Sequence, residues 1–200
     1  GKRLIGKGVA RLPHIHAVLE NSTLVIIAGT TNGYVAEEIL TALGQSEGFT
    51  RVGFRRGVTV APGNKPADAE FPGDVVIVKG EWQRGKTIYD VVGDLKAGDL
   101  LLKGANAFDP QGHAAVQIGH PQGGTLHAAL SAVYGRRVQI LVPVGVEKRV
   151  FEDVRTLAAH VNAPDASGTR LYPFPGEVFT ELDAIEILTG AEARLVAAGG

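Results

Sequence analysis

The run Thr23-Leu24-Val25-Ile26-Ile27-Ala28-Gly29-Thr30-Thr31-Asn32-Gly33-Tyr34-Val35-Ala36 commits this chain to a buried strand that passes through a small polar turn into a helix. A short run of apolar and β-branched residues, too brief for a helix core, reads as a strand covered on both faces. Gly29 and Gly33 let the turn tighten and bring backbone close to whatever lies above it. Ala36, Ile39, Leu40 and Leu43 then recur at helical spacing, and Gly44 is placed to stop the helix. The first N–H groups of such a helix have no internal partner. Together with the side chains of Thr30, Thr31 and Asn32 they form a cradle for a phosphate or carboxylate. The alternative is a capped turn that binds nothing, since caps of this kind are common in α/β domains.

A single domain is expected over residues 1–200, a length sufficient to bury about 70% of the unfolded chain's surface. The formal net charge is −1 and charged residues make up 20% of the chain, which argues against a nucleic-acid or other polyanion surface. With 44% hydrophobic residues, so low a charge content points to apolar surface buried between copies, and hence to a homo-oligomer. The absence of cysteine excludes disulfides, thiol catalysis and Cys-ligated zinc. The apolar runs are far shorter than the roughly 18 residues that a membrane helix needs, and no secretory leader is visible, so the expected location is cytoplasmic.

The remaining pattern alternates between strands and helices. Residues 4–20 read as helical, with Pro13 opening a second segment. Residues 49–61 alternate (Val52, Phe54, Val58, Val60) and predict a strand or hairpin displaying Arg51, Arg55 and Arg56, either as a solvated face or as a clamp on an anion. Residues 62–73 read as a loop. Residues 75–78 and 87–92 flank a polar tip bearing Trp82, as in a hairpin. Strands are expected at 99–103, 114–118, 138–142 and 193–198. Helices are expected after Gly123, over 151–161 and after Thr180, where Thr180 and Asp183 resemble a capping box and Gly190 a stop. The fold class that follows is α/β: a mostly parallel, Rossmann-like sheet with helices on both faces and a β-rich insertion at about 49–92. In such sheets ligands sit beyond the carboxyl ends of the strands.

Three loops are expected to converge there: residues 29–33, 104–112 and 119–125. Gly123, Gly124 and Thr125 begin a helix and make a second anion cradle. The middle loop offers Lys103, Asn106 and Asp109 close together, although Asp109 before Pro110 also suits a simple turn. His113, His120 and His127 recur every seven residues, but Pro121 and two glycines break any helix that would align them; His120 alone is a candidate acid or base, and a three-imidazole metal site is the weaker alternative. No Gly-x-Gly-x-x-Gly or Walker sequence is present, and no cofactor or bound metal is expected.

Gly-Thr-Thr-Asn at 29–32 resembles the Gly-Thr-Gly-Ser-Thr phosphate loop of ribose-5-phosphate isomerase, and Lys-Gly-Ala-Asn-Ala-Phe-Asp at 103–109 resembles its Asp-Gly-Ala-Asp-Glu-Val-Asp. The order and spacing are similar to those of the superfamily that also holds glucosamine-6-phosphate deaminase, acetate-type CoA-transferases, methylthioribose-1-phosphate isomerase and the initiation factor 2B subunits. Residues 113–134 are similar to the glycine-rich loop and helix that follow in those proteins. The resemblance implies a small phosphorylated or CoA-like anionic metabolite as ligand, and proton transfer on a sugar phosphate as the chemistry. In that chemistry Asp109 or His120 would act as base and Lys103 would stabilise charge. Gly29, Thr30, Thr31, Asn32, Asn106, Gly123, Gly124 and Thr125 would hold the phosphate. Lys103 and Asn106 stand where the isomerase has carboxylates, and its later glutamate base has no counterpart in Leu126-His127-Ala128-Ala129-Leu130. A ligand-sensing or assembly subunit without catalysis, as in the initiation factor 2B branch, is the alternative.

Overall fold

Alternate residues of one central strand face two separate cores, and this organises the molecule. The structure is a computed structural model that describes residues 1–56 and 70–197. Strand β1 (Thr23–Ile26) sends Leu24 and Ile26 to one side, where they meet helices α1 (Lys2–Val9), α2 (Pro13–Asn21) and α3 (Thr30–Ala42). Val25 and Ile27 go to the other side, against α4 (Ile88–Val91) and α5 (Gly124–Arg136). A period of two along the strand thus divides the helices between the two faces.

The main sheet also contains β2 (Val75–Val78), β3 (Glu81–Trp82), β4 (Leu100–Leu102), β7 (Gln139–Pro143) and β9 (Glu177–Phe179), in the order β3-β2-β1-β4-β7-β9. β1, β4, β7 and β9 run parallel. β2 and β3 are antiparallel additions at one edge, so the sheet is mixed. A second, antiparallel sheet joins β5 (Ala107–Phe108), β6 (Ala114–Ile118) and β8 (Arg170–Phe174), with α6 (Val154–Val161) packed on it through Val154 and Ala158. Helix α7 (Glu181–Thr189) contributes Ala184 to the first core. No helix among the described residues is long and apolar enough to cross a membrane.

Several expectations change. Residues 49–56 form turns instead of a strand, and residues 57–69, where the rest of the alternating stretch and most of the expected loop fall, lie outside the described residues. The hairpin at 75–82 closes through Lys79 and Gly80, at φ +47° and +80°, and not through an eight-residue tip. Positive φ at both central positions is the turn geometry that suits tightly paired strands. The segment after it is helix α4, because Asp90 accepts the N–H of Thr87 and the pair caps a helical turn against its β-branched composition. The expected β-rich insertion is therefore the antiparallel edge of the main sheet. β6 lies in the second sheet. Residues 193–197 form no strand: Gly190, at φ +73°, ends α7, and Val196 beyond it is 97% exposed.

Candidate functional site

The strand order reverses at β1: β2, the next strand in the chain, lies on one side of it and β4 on the other. The connections leaving β1 and β4 consequently diverge, α3 packing on one face and α5 on the other. A reversal of this kind opens a crevice at the carboxyl ends of the strands. Polar side chains fill it here.

Asn32 lies in the first turn of α3 and is fully buried. Its Nδ2 donates to the carbonyls of Ile27, at 2.8 Å, and Leu102, at 3.0 Å, tying together the ends of β1 and β4. Because both donated bonds fix the amide's orientation, Oδ1 is held in place. That oxygen is buried and has no partner among the described residues. An unsatisfied buried acceptor costs about 1–3 kcal/mol, so the position favours a ligand that brings a donor. Gly29 caps α3 with no side-chain bond to the helix, and the amides of Thr30, Thr31 and Asn32 find no acceptor among the described residues. Thr30 is exposed and Thr31 half-buried.

Lys103 directly follows β4 and alternates onto the face of Leu101, toward α5. It is 8% exposed, and Nζ lies 3.4 Å from the Thr125 hydroxyl at the start of α5. Burial pushes its pKa down from 10.5 to about 8; the negative charge of Asp74 opposes the shift and the positive charge of Arg56 adds to it. No carboxylate among the described residues pairs directly with Nζ. Asp74, next to β2 at the same sheet edge, is already engaged. It accepts the N–H of Ala28 at 2.9 Å and of Ile88 at 2.8 Å, and both its oxygens take nitrogens of Arg56. Arg56 also lies over the rings of Phe71 and Tyr89. The cluster of Lys103, Arg56 and Asp74 thus carries one positive charge in excess when Lys103 is protonated. An anion would balance it.

Gly123 and Gly124 precede Thr125 with φ of +76° and +57°, a sequence of left-handed residues open to glycine but strained for other types. This turn brings the free amides of the α5 N-terminus to the Lys103 side of the crevice. His120 lies in the turn before it, exposed, its Nδ1 accepting the N–H of Gln122. His127 is exposed on the first turn of α5.

Asn106 and Asp109 flank β5 of the second sheet. Asn106 donates its N–H to Ala115 and accepts that of Gln117 through Oδ1, framing the β5–β6 pairing. Asp109 is buried; Oδ1 accepts the N–H groups of Gln111 and His113, and Oδ2 accepts from Val154 N and meets His113 Nδ1 at 3.1 Å. Burial alone would raise its pKa, but the amides of His113 and Val154 and the His113 ring outweigh it and hold the carboxyl below its ordinary value. Asp109, His113 and Asp153 bring potential ligand atoms within 4.8 Å of one another. The oxygens of Asp109 are committed to N–H donors, and Asp153 caps α6 and grips Arg155, so this group is a structural knot.

One participant, Asp74, went unforeseen, its only sequence signal being a carboxylate directly before the apolar strand Val75–Val78; Arg56, expected on a solvated face or as an anion clamp, is paired with it. Arg51 instead lies over the Tyr34 ring and pairs with Glu37. A surface cleft of about 420 Å³ is lined by Gly1, Lys2, Arg3, Tyr34, Glu147 and Glu181, with mixed charge and Arg3 already paired to Glu38. No family model, curated protein or solved structure matches this chain, and the functional reading rests on its own residues.

Proposed function

We propose that the crevice between β1 and β4 binds a small phosphorylated or CoA-like anionic metabolite. The observation that carries this reading is Lys103, a buried ammonium at the start of α5 whose partner is a hydroxyl and which has no carboxylate partner among the described residues. In this reading Lys103 meets the anion's charge. Thr30, Thr31 and the amides of α3 hold one side, and Gly123, Gly124 and Thr125 hold the other. The four parallel strands then serve as a Rossmann-like unit, with the antiparallel edge supplying Asp74. Asn106 and Asp109 shape the loop that follows Lys103. Two readings of activity remain in competition. One is proton transfer on a sugar phosphate, with His120 or Asp109 as base. The other is a ligand-sensing or assembly subunit of a homo-oligomer, favoured by the bonds that already occupy the Asp109 carboxylate.

The test is a thermal-shift and calorimetric screen of sugar phosphates, CoA esters and nucleotides. A ligand at 100 times its dissociation constant adds about 2.7 kcal/mol of stability. Binding by one of these classes that is lost on altering Lys103 supports the reading; no stabilisation by any of them defeats it. A coupled assay for ribose-5-phosphate isomerase is expected to show no turnover, because Lys103 and Asn106 replace that enzyme's carboxylates.

A further inference from the structure

We propose that Lys103 is an amine nucleophile, and that the crevice takes a phosphorylated aldehyde or ketone and holds it as an imine on Nζ. The inference rests on the anion-binding reading above and narrows it to carbonyl compounds. Its basis is geometric. Lys103 is 8% exposed, and among the described residues its nitrogen meets a single hydroxyl, that of Thr125. The nearby carboxylate that could hold the proton on Nζ is fully occupied, Asp74 being bound by Arg56, Ala28 and Ile88. The positive charge of Arg56 near the amine favours its neutral form, and the protonated imine, once formed, restores the positive charge that faces the substrate's phosphate. An arrangement of a desolvated lysine next to a second cation is a recognised way of freeing an amine for attack on a carbonyl.

The orphaned Asn32 Oδ1 is a second, independent observation. Attack by the Nζ lone pair on the carbonyl carbon forms a C–N bond, and the carbonyl oxygen takes up a proton to give a hydroxyl. Loss of that hydroxyl with a proton from nitrogen releases one water and leaves the C=N bond. No oxidant or reductant enters. The hydroxyls of a sugar-like chain are donors of the kind that a fixed, buried amide oxygen with no partner among the described residues accepts. The dianion of a phosphate ester carries no O–H on its phosphate and by itself leaves that oxygen unsatisfied.

The experiment incubates the full chain with glyceraldehyde 3-phosphate or dihydroxyacetone phosphate, reduces with borohydride and maps the adduct by peptide mass spectrometry. Calorimetry with glycerol 3-phosphate, which has the anion and no carbonyl, runs in parallel. The expected result is an adduct at Lys103 at least tenfold above every other lysine, with unphosphorylated glyceraldehyde giving none of that preference. Lys103→Arg, which cannot form an imine, is expected to lose the adduct while its thermal unfolding and the labelling of the other lysines stay as in the parent. If glycerol 3-phosphate binds and Lys103 is not modified, or other lysines are modified equally, the imine is overturned and the anion reading stands. If neither binding nor adduct is seen, the imine is overturned, and the wider screen of sugar phosphates, CoA esters and nucleotides decides the anion reading.

Discussion

Arg56 grips Asp74 with two nitrogens, Nε 3.1 Å from Oδ1 and Nη2 2.9 Å from Oδ2, while the same carboxylate takes the backbone N–H groups of Ala28 and Ile88. One buried side chain thereby joins the exit of β1, the start of α4 and the segment before the undescribed residues. It also shapes the electrostatics of the crevice: with both oxygens taken by Arg56, Asp74 acts on Lys103 through its charge at a distance and forms no direct ion pair with it.

Removing that carboxylate is expected to be costly. Asp74→Ala leaves two buried amides without acceptors and Arg56 without its partner, and a loss of about 3 kcal/mol follows. Urea unfolding measures it; a change below about 1 kcal/mol would show that water replaces the carboxylate readily.

Lys103 predicts a pH dependence of stability. Its folded-state pKa is lowered to about 8 by burial, while an unfolded lysine titrates near 10.5. Between those values the unfolded chain holds a proton that the folded chain does not, so stability rises with pH across that window, and the penalty is fully present below it. Lys103→Met removes the penalty. The variant is expected to be more stable than the parent at pH 7 by about 3 kcal/mol, as a fall from 10.5 to about 8 implies at about 1.4 kcal/mol per unit, and the gap should narrow toward pH 10. A gap that stays constant with pH would mean that Lys103 titrates as an ordinary lysine.

Asp109 gives the opposite sign. Its pKa is lowered on folding, so its contribution is fully present above the unfolded value of about 3.8 and is lost as pH falls through the folded one. Asp109→Asn places an amide NH₂ against N–H donors on one side and is expected to cost about 2 kcal/mol at pH 7, with a shallower acid transition. If a turnover is found, a fall in turnover larger than the fall in ligand affinity would assign Asp109 a part in the chemistry; equal losses would assign it to holding the loop.

Periodicity revealed the elements whose burial is regular. β1, β2, β4, β6 and β7 lie where short apolar runs predict them, and α3, α5, α6 and α7 where spacing and caps do. It failed where structure depends on partners distant in the chain. β6 reads as a core strand, yet its pairing with β8 across some fifty residues puts it in a separate antiparallel sheet. β8 and β9 lie around Pro173, Pro175 and Gly176, which conceal strand character. α4 is too short to show a helical period, and only Thr87 and Asp90 announce it. In the crevice the glycine turns and Lys103 were legible. The pairing that makes Lys103 unusual was not, because Asp74 and Arg56 meet through the fold and no local pattern encodes that.

The turn after Gly29 supplies the most direct check on the site. Thr31 is half-buried at the start of α3, where three amides have no acceptor among the described residues. Thr31→Glu puts a carboxylate against those amides. At a helix N-terminus that charge is favourable by about 0.3–1 kcal/mol, so the fold is expected to stay intact or gain slightly in thermal unfolding. The same carboxylate occupies the cradle and repels an incoming phosphate. Glycerol 3-phosphate, if the parent binds it, should then bind at least a hundredfold more weakly, as read by calorimetry at low salt, where the repulsion is least screened. Thr31→Ser, which keeps the hydroxyl, should bind within a few-fold of the parent. An unchanged affinity for Thr31→Glu would place the anion away from α3 and leave the α5 turn as its only holder.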